Sequence, residues 1–182
     1  MEIENITYKQ FNEITDKDKL YDYLFAFQFG KQFKMPYDHL NVGEITRLPF
    51  GVIKDLQDTE DDSLENIFSI CKILIDPNRD ILSLYQQRAY ILEGVKQITE
   101  VERQTLSGGS LTAREQNALI DEEGNNLFEG LGSLIQISDL SNGDVTKYEA
   151  VRETPWETCY AELLLRSRRN KFQRNLQKST KV

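Results

Sequence analysis

Carboxylates crowd at Asp58-Thr59-Glu60-Asp61-Asp62 and again at Asp121-Glu122-Glu123, and dense oxygen ligands of this kind are what a calcium ion takes. A calcium loop counted from Asp58 needs glycine at its sixth position and a bidentate acid at its twelfth; this chain has Ser63 and Ser69 there. The first run instead reads as acids gathered at a helix N-terminus, where the dipole favours them, and the second as a solvated helix end. His39, beside Asp38, is the single histidine, so any Ser-His or Cys-His nucleophile would have to use it, and no other residue points to such a site. Zinc would be left with that histidine and two distant thiols. Those thiols, Cys71 and Cys159, lie 88 positions apart inside helical patterns and read as small buried hydrophobes. Ser107-Gly108-Gly109-Ser110 lacks the Lys-Ser/Thr that completes a phosphate loop and reads as a linker. No catalytic, cofactor or metal set emerges, and the expectation is a protein that is not an enzyme.

Charge is more informative. Glu162 is the last acidic residue; after it come Arg166, Arg168, Arg169, Lys171, Arg174, Lys178 and Lys181 with no carboxylate among them. These seven leave 15 of the 22 basic residues in positions 1–162 against all 30 acids, so an acidic body of about −15 carries a basic arm of about +7. Separation of this kind governs association rather than fold.

The elements that must position the arm follow from periodicity. Of 182 residues 39% are hydrophobic and 29% charged, yet the apolar positions cluster at helical spacing, which argues against wholesale disorder. Residues 1–14 alternate loosely (Ile3, Ile6, Tyr8, Phe11) as a short strand or extended arm would. Thr15-Asp16-Lys17-Asp18 opens an aromatic helix running to Gly30, although Tyr23, Phe25, Phe27 and Phe29 also alternate. A loop follows from Pro36 to Thr46, then a short helix from Leu48-Pro49-Phe50 through Asp58. Leu64, Ile67, Phe68, Cys71, Leu74 and Ile75 mark one buried helix face, with Asp62 and Glu65 at cap and third-position spacing and Asp76-Pro77 as the stop. A long helix is expected from Asp80 to Thr105, burying Ile81, Leu82, Tyr85, Ala89, Leu92, Val95 and Ile98. Thr112 and Glu115 open a short helix ending near Gly124, and Leu127, Leu131, Leu134, Ile135 and Leu140 mark the next. Asn142-Gly143-Asp144 turns the chain into a helix from Val145 to Glu153. Thr154, Pro155 and Glu157 then give the sharpest start signal of all, for a final helix with an Arg-rich end.

The expected fold class is therefore all-α: an irregular multi-helix body over 1–162, one domain, with a projecting basic C-terminal helix over 163–182. No apolar run approaches the ~18–20 residues needed to cross a bilayer, and Met1-Glu2-Ile3-Glu4 is acidic where a secretory signal is basic, which predicts a soluble protein without membrane contact.

Within the final helix, a step of about 100° per residue places Trp156, Cys159, Tyr160, Leu163 and Leu164 on one broad stripe. Leu165, Phe172 and Leu176 fall on the opposite side, about 160–200° from Trp156. Two explanations stay open. The helix frays or bends after Asn170 and leaves Phe172 as an exposed aromatic, or Leu165, Phe172 and Leu176 insert into another subunit while Arg166, Arg168, Arg169 and Arg174 meet its acidic surface. The second predicts a ring or stacked homo-oligomer, each arm reaching its neighbour. Nucleic acid is a weaker alternative partner for the same arm, because the acidic body repels a polyanion.

Two stretches carry a family resemblance. One is Ile45-Thr46-Arg47-Leu48-Pro49-Phe50-Gly51-Val52-Ile53-Lys54-Asp55-Leu56 with the later Cys71-Lys72-Ile73-Leu74-Ile75-Asp76-Pro77; the other is Asn142-Gly143-Asp144-Val145-Thr146-Lys147-Tyr148-Glu149-Ala150-Val151 leading into Pro155-Trp156-Glu157. Over about a third of its length the chain resembles small helical structural and tail-assembly proteins of tailed bacteriophages, in which a Gly-Asp turn precedes a short helix, a proline and a final amphipathic helix. The stretch from Gln104 to Asn126 has no counterpart in them. The resemblance implies a non-enzymatic role in the virion, at the head–tail junction or tail, assembled in the host cytoplasm with other phage structural proteins and without a cofactor. It also allows a tail-assembly chaperone absent from the mature particle.

Overall fold

The computed structural model describes residues 6–15, 21, 45–106 and 131–179. The aromatic helix expected before Gly30, the loop beginning at Pro36, His39, the Ser107–Ser110 linker, the helix expected after Thr112 and the acids at 121–123 lie outside the described residues, apart from a helical Tyr21. Among the described residues the fold is all-α, with seven α-helices, one 3-10 turn and no strand. Two compact units divide the chain, one of residues 1–45 and 59–96, the other of residues 46–58 and 97–182.

In the first unit, α1 (Tyr8–Glu13) replaces the strand or arm expected for residues 1–14. Its cause is local: Thr7 accepts from the Gln10 amide while the Gln10 side chain accepts from the Thr7 amide, a reciprocal capping box that outweighs four loosely alternating apolar residues. The Tyr8 and Lys9 amides, which lack partners inside the helix, donate to the carbonyls of Arg79 and Pro77 at 2.9 and 3.0 Å. Phe11 is buried edge-on to Tyr85.

The next helix of this unit spans Leu64–Ile70 and is called α3, α2 being Phe50–Asp58 in the second unit. Its N-cap is Ser63, not Asp62: the Ser63 hydroxyl accepts from the Asn66 amide, while Asp62 pairs with Arg88 at 2.7 Å. It also stops sooner than its apolar spacing implies. Lys72 adopts φ 57°, the Ile73 amide reaches back to Phe68 and the Lys72 amide to Ser69, which together form a Schellman motif. Leu64, Ile67 and Phe68 are buried as expected, but Leu74 is 94% exposed and Ile75 only half-buried, because the stripe ends where the helix does.

The long helix α4 (Ile81–Leu106) lies where its pattern put it, with its residues through Lys96 in the first unit and those from Gln97 in the second. The Asp80 carboxylate accepts from the Ser83 amide at its start. Ile81, Leu82, Leu84, Ile91, Val95 and Ile98 are buried, whereas Tyr85, Ala89 and Leu92 are half-buried. Gly94 is needed for close approach, since a Cβ there would stand 2.8 Å from Ile45 Cγ1.

In the second unit α2 packs on α5 (Gly132–Leu140), α6 (Tyr148–Glu153) and α7 (Trp156–Ser179), with a 3-10 turn (Val145–Lys147) before α6. The Asn142-Gly143 turn ends α5 with both residues at positive φ, and Asp144 caps the 3-10 turn. Hydrogen bonds from Thr146 and Lys147 hold the Asp144 carboxyl down at about 2, so it is charged at neutral pH. The starts of α2 and α7 are joined to each other through an antiparallel bridge between Pro49 and Pro155. There the Phe50 amide donates to Thr154 O (2.8 Å), and the Trp156 and Glu157 amides donate to Leu48 O and Thr46 O (2.9 and 3.0 Å). The Thr154 hydroxyl, expected to cap α7, donates instead to Ala150 O of α6.

At the centre of this unit sits a buried ion pair. Lys54 Nζ of α2 lies 2.6 Å from Glu102 Oε2 of α4, with the two side chains only 4% and 10% exposed. Trp156 Nε1 of α7 donates to Glu102 Oε1 at 2.7 Å, and Gln57 Nε2 donates to Glu102 Oε2 at 3.1 Å. Phe50, Val52, Ile53, Leu56, Ile98, Ile137 and Cys159 are buried with them.

Two stability measurements check these assignments by urea denaturation. Lys54→Met strands the Glu102 carboxylate and should cost about 3–5 kcal/mol. The double variant Lys54→Met/Glu102→Met should recover most of that, leaving the cost of an unpaired Trp156 N–H, about 1–3 kcal/mol. Lys72→Gly relieves a left-handed residue and should stabilise the protein by about 0.5–1 kcal/mol; a loss would mean that the turn is not as described.

Candidate functional site

The most unusual surface of the described chain is the distal half of α7. The proximal half is core: Trp156, Cys159 and Leu163 are buried, and Tyr160 stacks on Trp156 at 4.7 Å between ring centroids while its hydroxyl meets Thr105 Oγ1 at 3.0 Å. The helix does not break at Asn170 but continues to Ser179. Residue 163, where the arm was expected to begin, therefore lies inside one helix of the second unit.

Leu165, Phe172 and Leu176 are exposed at 42%, 63% and 51%, so the opposite stripe is present and is solvent-facing in this single chain. An exposed apolar ridge on an otherwise polar helix is the pattern by which an amphipathic helix enters a partner groove.

The cations sort into two kinds. Arg166 is half-buried: its Nε donates to Glu162 Oε1 at 2.8 Å, and its Nη1 donates to the main-chain oxygen and the Oδ1 of Asp139 on α5. Glu162 first, then Asp139, stabilise its charged form and raise its pKa. It ties α7 to α5. Arg168, Arg169, Lys171 and Arg174 are exposed. With Arg166, three of these (Arg168, Lys171 and Arg174) line an open hollow of about 540 Å³, in which Asp139 is the single carboxylate among the described lining residues.

Sequence reasoning missed a second apolar surface. Leu131, Leu134 and Ile135 share the spacing that usually signals burial, yet they are 41%, 45% and 40% exposed, and Ile137 is the residue of α5 that enters the core. With Tyr148, Ser138 and Gly143 they line an open hollow of about 450 Å³.

Both thiols read as packing residues. Burial pushes Cys71 and Cys159 up to about 11, so neither is a ready nucleophile at neutral pH, and the Cys159 thiol donates to Val151 O. Among the described residues no group of three or more His, Cys, Asp or Glu side chains could hold a metal ion, and no helix is long and apolar enough to cross a membrane.

Arg166→Ala should destabilise the second unit by about 1 kcal/mol through loss of charge-assisted bonds, while Arg168→Ala should leave stability unchanged. Equal effects of the two, in thermal or urea denaturation, would contradict the division into strut and surface cations. Against protein-family models, curated proteins and solved structures alike, the chain has no match.

Proposed function

We propose that this chain is a non-enzymatic structural or assembly protein of a tailed bacteriophage particle, working at the head–tail junction or tail by docking its C-terminal helix onto a partner. The observation that carries the docking part is the exposed ridge of Leu165, Phe172 and Leu176 on a helix whose other face is locked into its own core. The sequence resemblance over 45–77 and 142–157 carries the phage part. Burial of one such side chain is worth about 1.5–3 kcal/mol before the costs of association. Each rim ion pair adds about 0–1 kcal/mol, so the arginines steer encounter and fix register more than they hold the complex.

One observation favours a different class of partner: Arg168, Arg169, Lys171 and Arg174 are exposed with no carboxylate in sequence after Glu162. A nucleic-acid contact through them would weaken steeply as salt rises, roughly in proportion to the phosphates neutralised. A docking helix held by apolar burial would weaken little.

Deletion from Arg168 onward retains the Arg166 strut and removes most of the ridge. The truncated chain should keep its helicity and cooperative unfolding but lose association with particles, and unfolding of the remainder would show that the distal helix belongs to the core. Mass spectrometry of purified particles separates the phage roles. A virion component appears at fixed stoichiometry, and a tail-assembly chaperone is absent.

A further inference from the structure

We infer that the hollow walled by the last turn of α4, by α5 and by distal α7 binds a run of phosphate groups, such as a free polyphosphate or the backbone of a nucleic-acid strand carries. The site lies on the side of α7 opposite the apolar ridge, so it stands apart from the docking reading above.

The first observation is a helix side that changes character along its length. Trp156 and Leu163 are buried on it, and Tyr160 stacks on Trp156. At about 100° per residue, Ser167, Lys171 and Arg174 continue the same side. Positions in the register of a core face thus carry a hydroxyl, an ammonium and a guanidinium. An apolar cover would strip water from these groups and return nothing, whereas an anion would satisfy them. All three line the hollow of about 540 Å³.

Charge in the hollow stays unbalanced after internal pairs are set aside. Arg166 and Asp139 compensate each other, and Asp139 is the single carboxylate among the described lining residues. Arg174 already has an interaction of its own and is not counted. Arg168 and Lys171 are exposed and make no hydrogen bond or ion pair among the described residues. The second unit as a whole opposes an anion only weakly: it has 15 acidic residues against 13 basic ones, whereas the first unit has 15 against 9. Exposed charges more than about 8 Å from the site are largely screened at physiological salt.

Spacing selects phosphates in series over a lone anion. Arg168 and Lys171 stand about 4.5 Å apart along the helix axis. That is close to the roughly 3.4 Å of axis per phosphate on a nucleic-acid strand, so each cation can meet its own phosphate. A guanidinium takes two oxygens of one phosphate side by side, and an ammonium serves the next as a point charge. Ser167 and Asn170, also in the lining, add neutral O–H and N–H donors. The volume falls within the range of about 300–1,000 Å³ typical of small-ligand pockets.

The test titrates the full chain at low salt with sodium tripolyphosphate by calorimetry and with a fluorescein-labelled dT12 oligonucleotide by anisotropy. The wild type should bind, and Arg168→Glu and Lys171→Glu should each weaken binding at least about tenfold. Arg169→Glu makes the same change of charge outside the hollow's lining and should alter affinity by no more than about twofold. Phe172→Ala, which removes part of the docking ridge, should leave phosphate binding unchanged, so the two readings fail separately. Circular dichroism should match the wild type throughout; should Lys171→Glu lose helicity, Lys171→Gln replaces it.

Oligonucleotide binding that tripolyphosphate displaces, with an affinity that falls steeply with salt, identifies a nucleic-acid strand as the source of the phosphates. Binding of tripolyphosphate without the oligonucleotide identifies a free polyphosphate. Equal losses with Arg169→Glu and Lys171→Glu would mean attraction to the whole basic helix and overturn the hollow as a site. Failure of the wild type to bind either probe overturns the inference outright and leaves Arg168 and Lys171 to balance the negative C-terminal ends of α4 and α5.

Discussion

A carboxylate removed from water must be compensated several times over, and Glu102 is compensated from three directions. Lys54 arrives from α2, Trp156 from the first turn of α7, and Gln57 closes the remaining side. Each of these bonds is directional, so together they fix more than proximity. The indole N–H can reach Glu102 only if Trp156 faces inward, and that sets the rotation of α7 about its axis. Once the rotation is set, helical geometry carries Leu165, Phe172 and Leu176 to the far side. Exposure of the ridge is thus a consequence of how a buried charge is satisfied roughly 14–30 Å away along the helix, given a rise of about 1.5 Å per residue.

The same helix uses one residue type for two purposes. Arg166 sits where α7 passes α5, and its planar guanidinium can serve Glu162 and two oxygens of Asp139 together, a geometry that lysine could not supply. Two residues on, Arg168 turns to solvent. Charge counting alone treats these as equal, whereas burial and bonding separate a residue that stiffens the base of the distal helix from those that present charge to solvent. Stiffness at the base matters for docking, since an arm ordered beforehand loses less freedom when it binds.

Much of this was legible in the chain. Periodic apolar residues bounded by Pro49, Asp80 and Pro155 gave α2, α4 and the start of α7 close to their observed limits, Asn142-Gly143 gave the end of α5, and angular projection gave the ridge. What escaped notice did so for definable reasons. Thr7 and Gln10 carry a capping box, but the alternating residues around them drew attention to a strand. The stop at Lys72 has no glycine to announce it, because a lysine occupies the left-handed position. Lys54 and Glu102 look like ordinary solvated charges until α2 and α4 are packed together, since neither sequence neighbourhood shows its partner 48 positions away. Leu131, Leu134 and Ile135 have the spacing of a core face and are exposed, a distinction that depends on tertiary packing and not on pattern.

The bridge between Pro49 and Pro155 has a consequence for the nascent chain. Its two sides are separated by more than a hundred residues, so the amide of Phe50 waits for Thr154 and the carbonyl of Leu48 waits for Trp156. At about 5–20 residues per second on the ribosome, that interval lasts roughly 5–20 s. Throughout it, Phe50 and Ile53 have emerged without the helix that will cover them, and Lys54 stands ready before its indole neighbour exists. The second unit can close only once Trp156 has been made, and the helix that completes it is the one that also carries the exposed ridge.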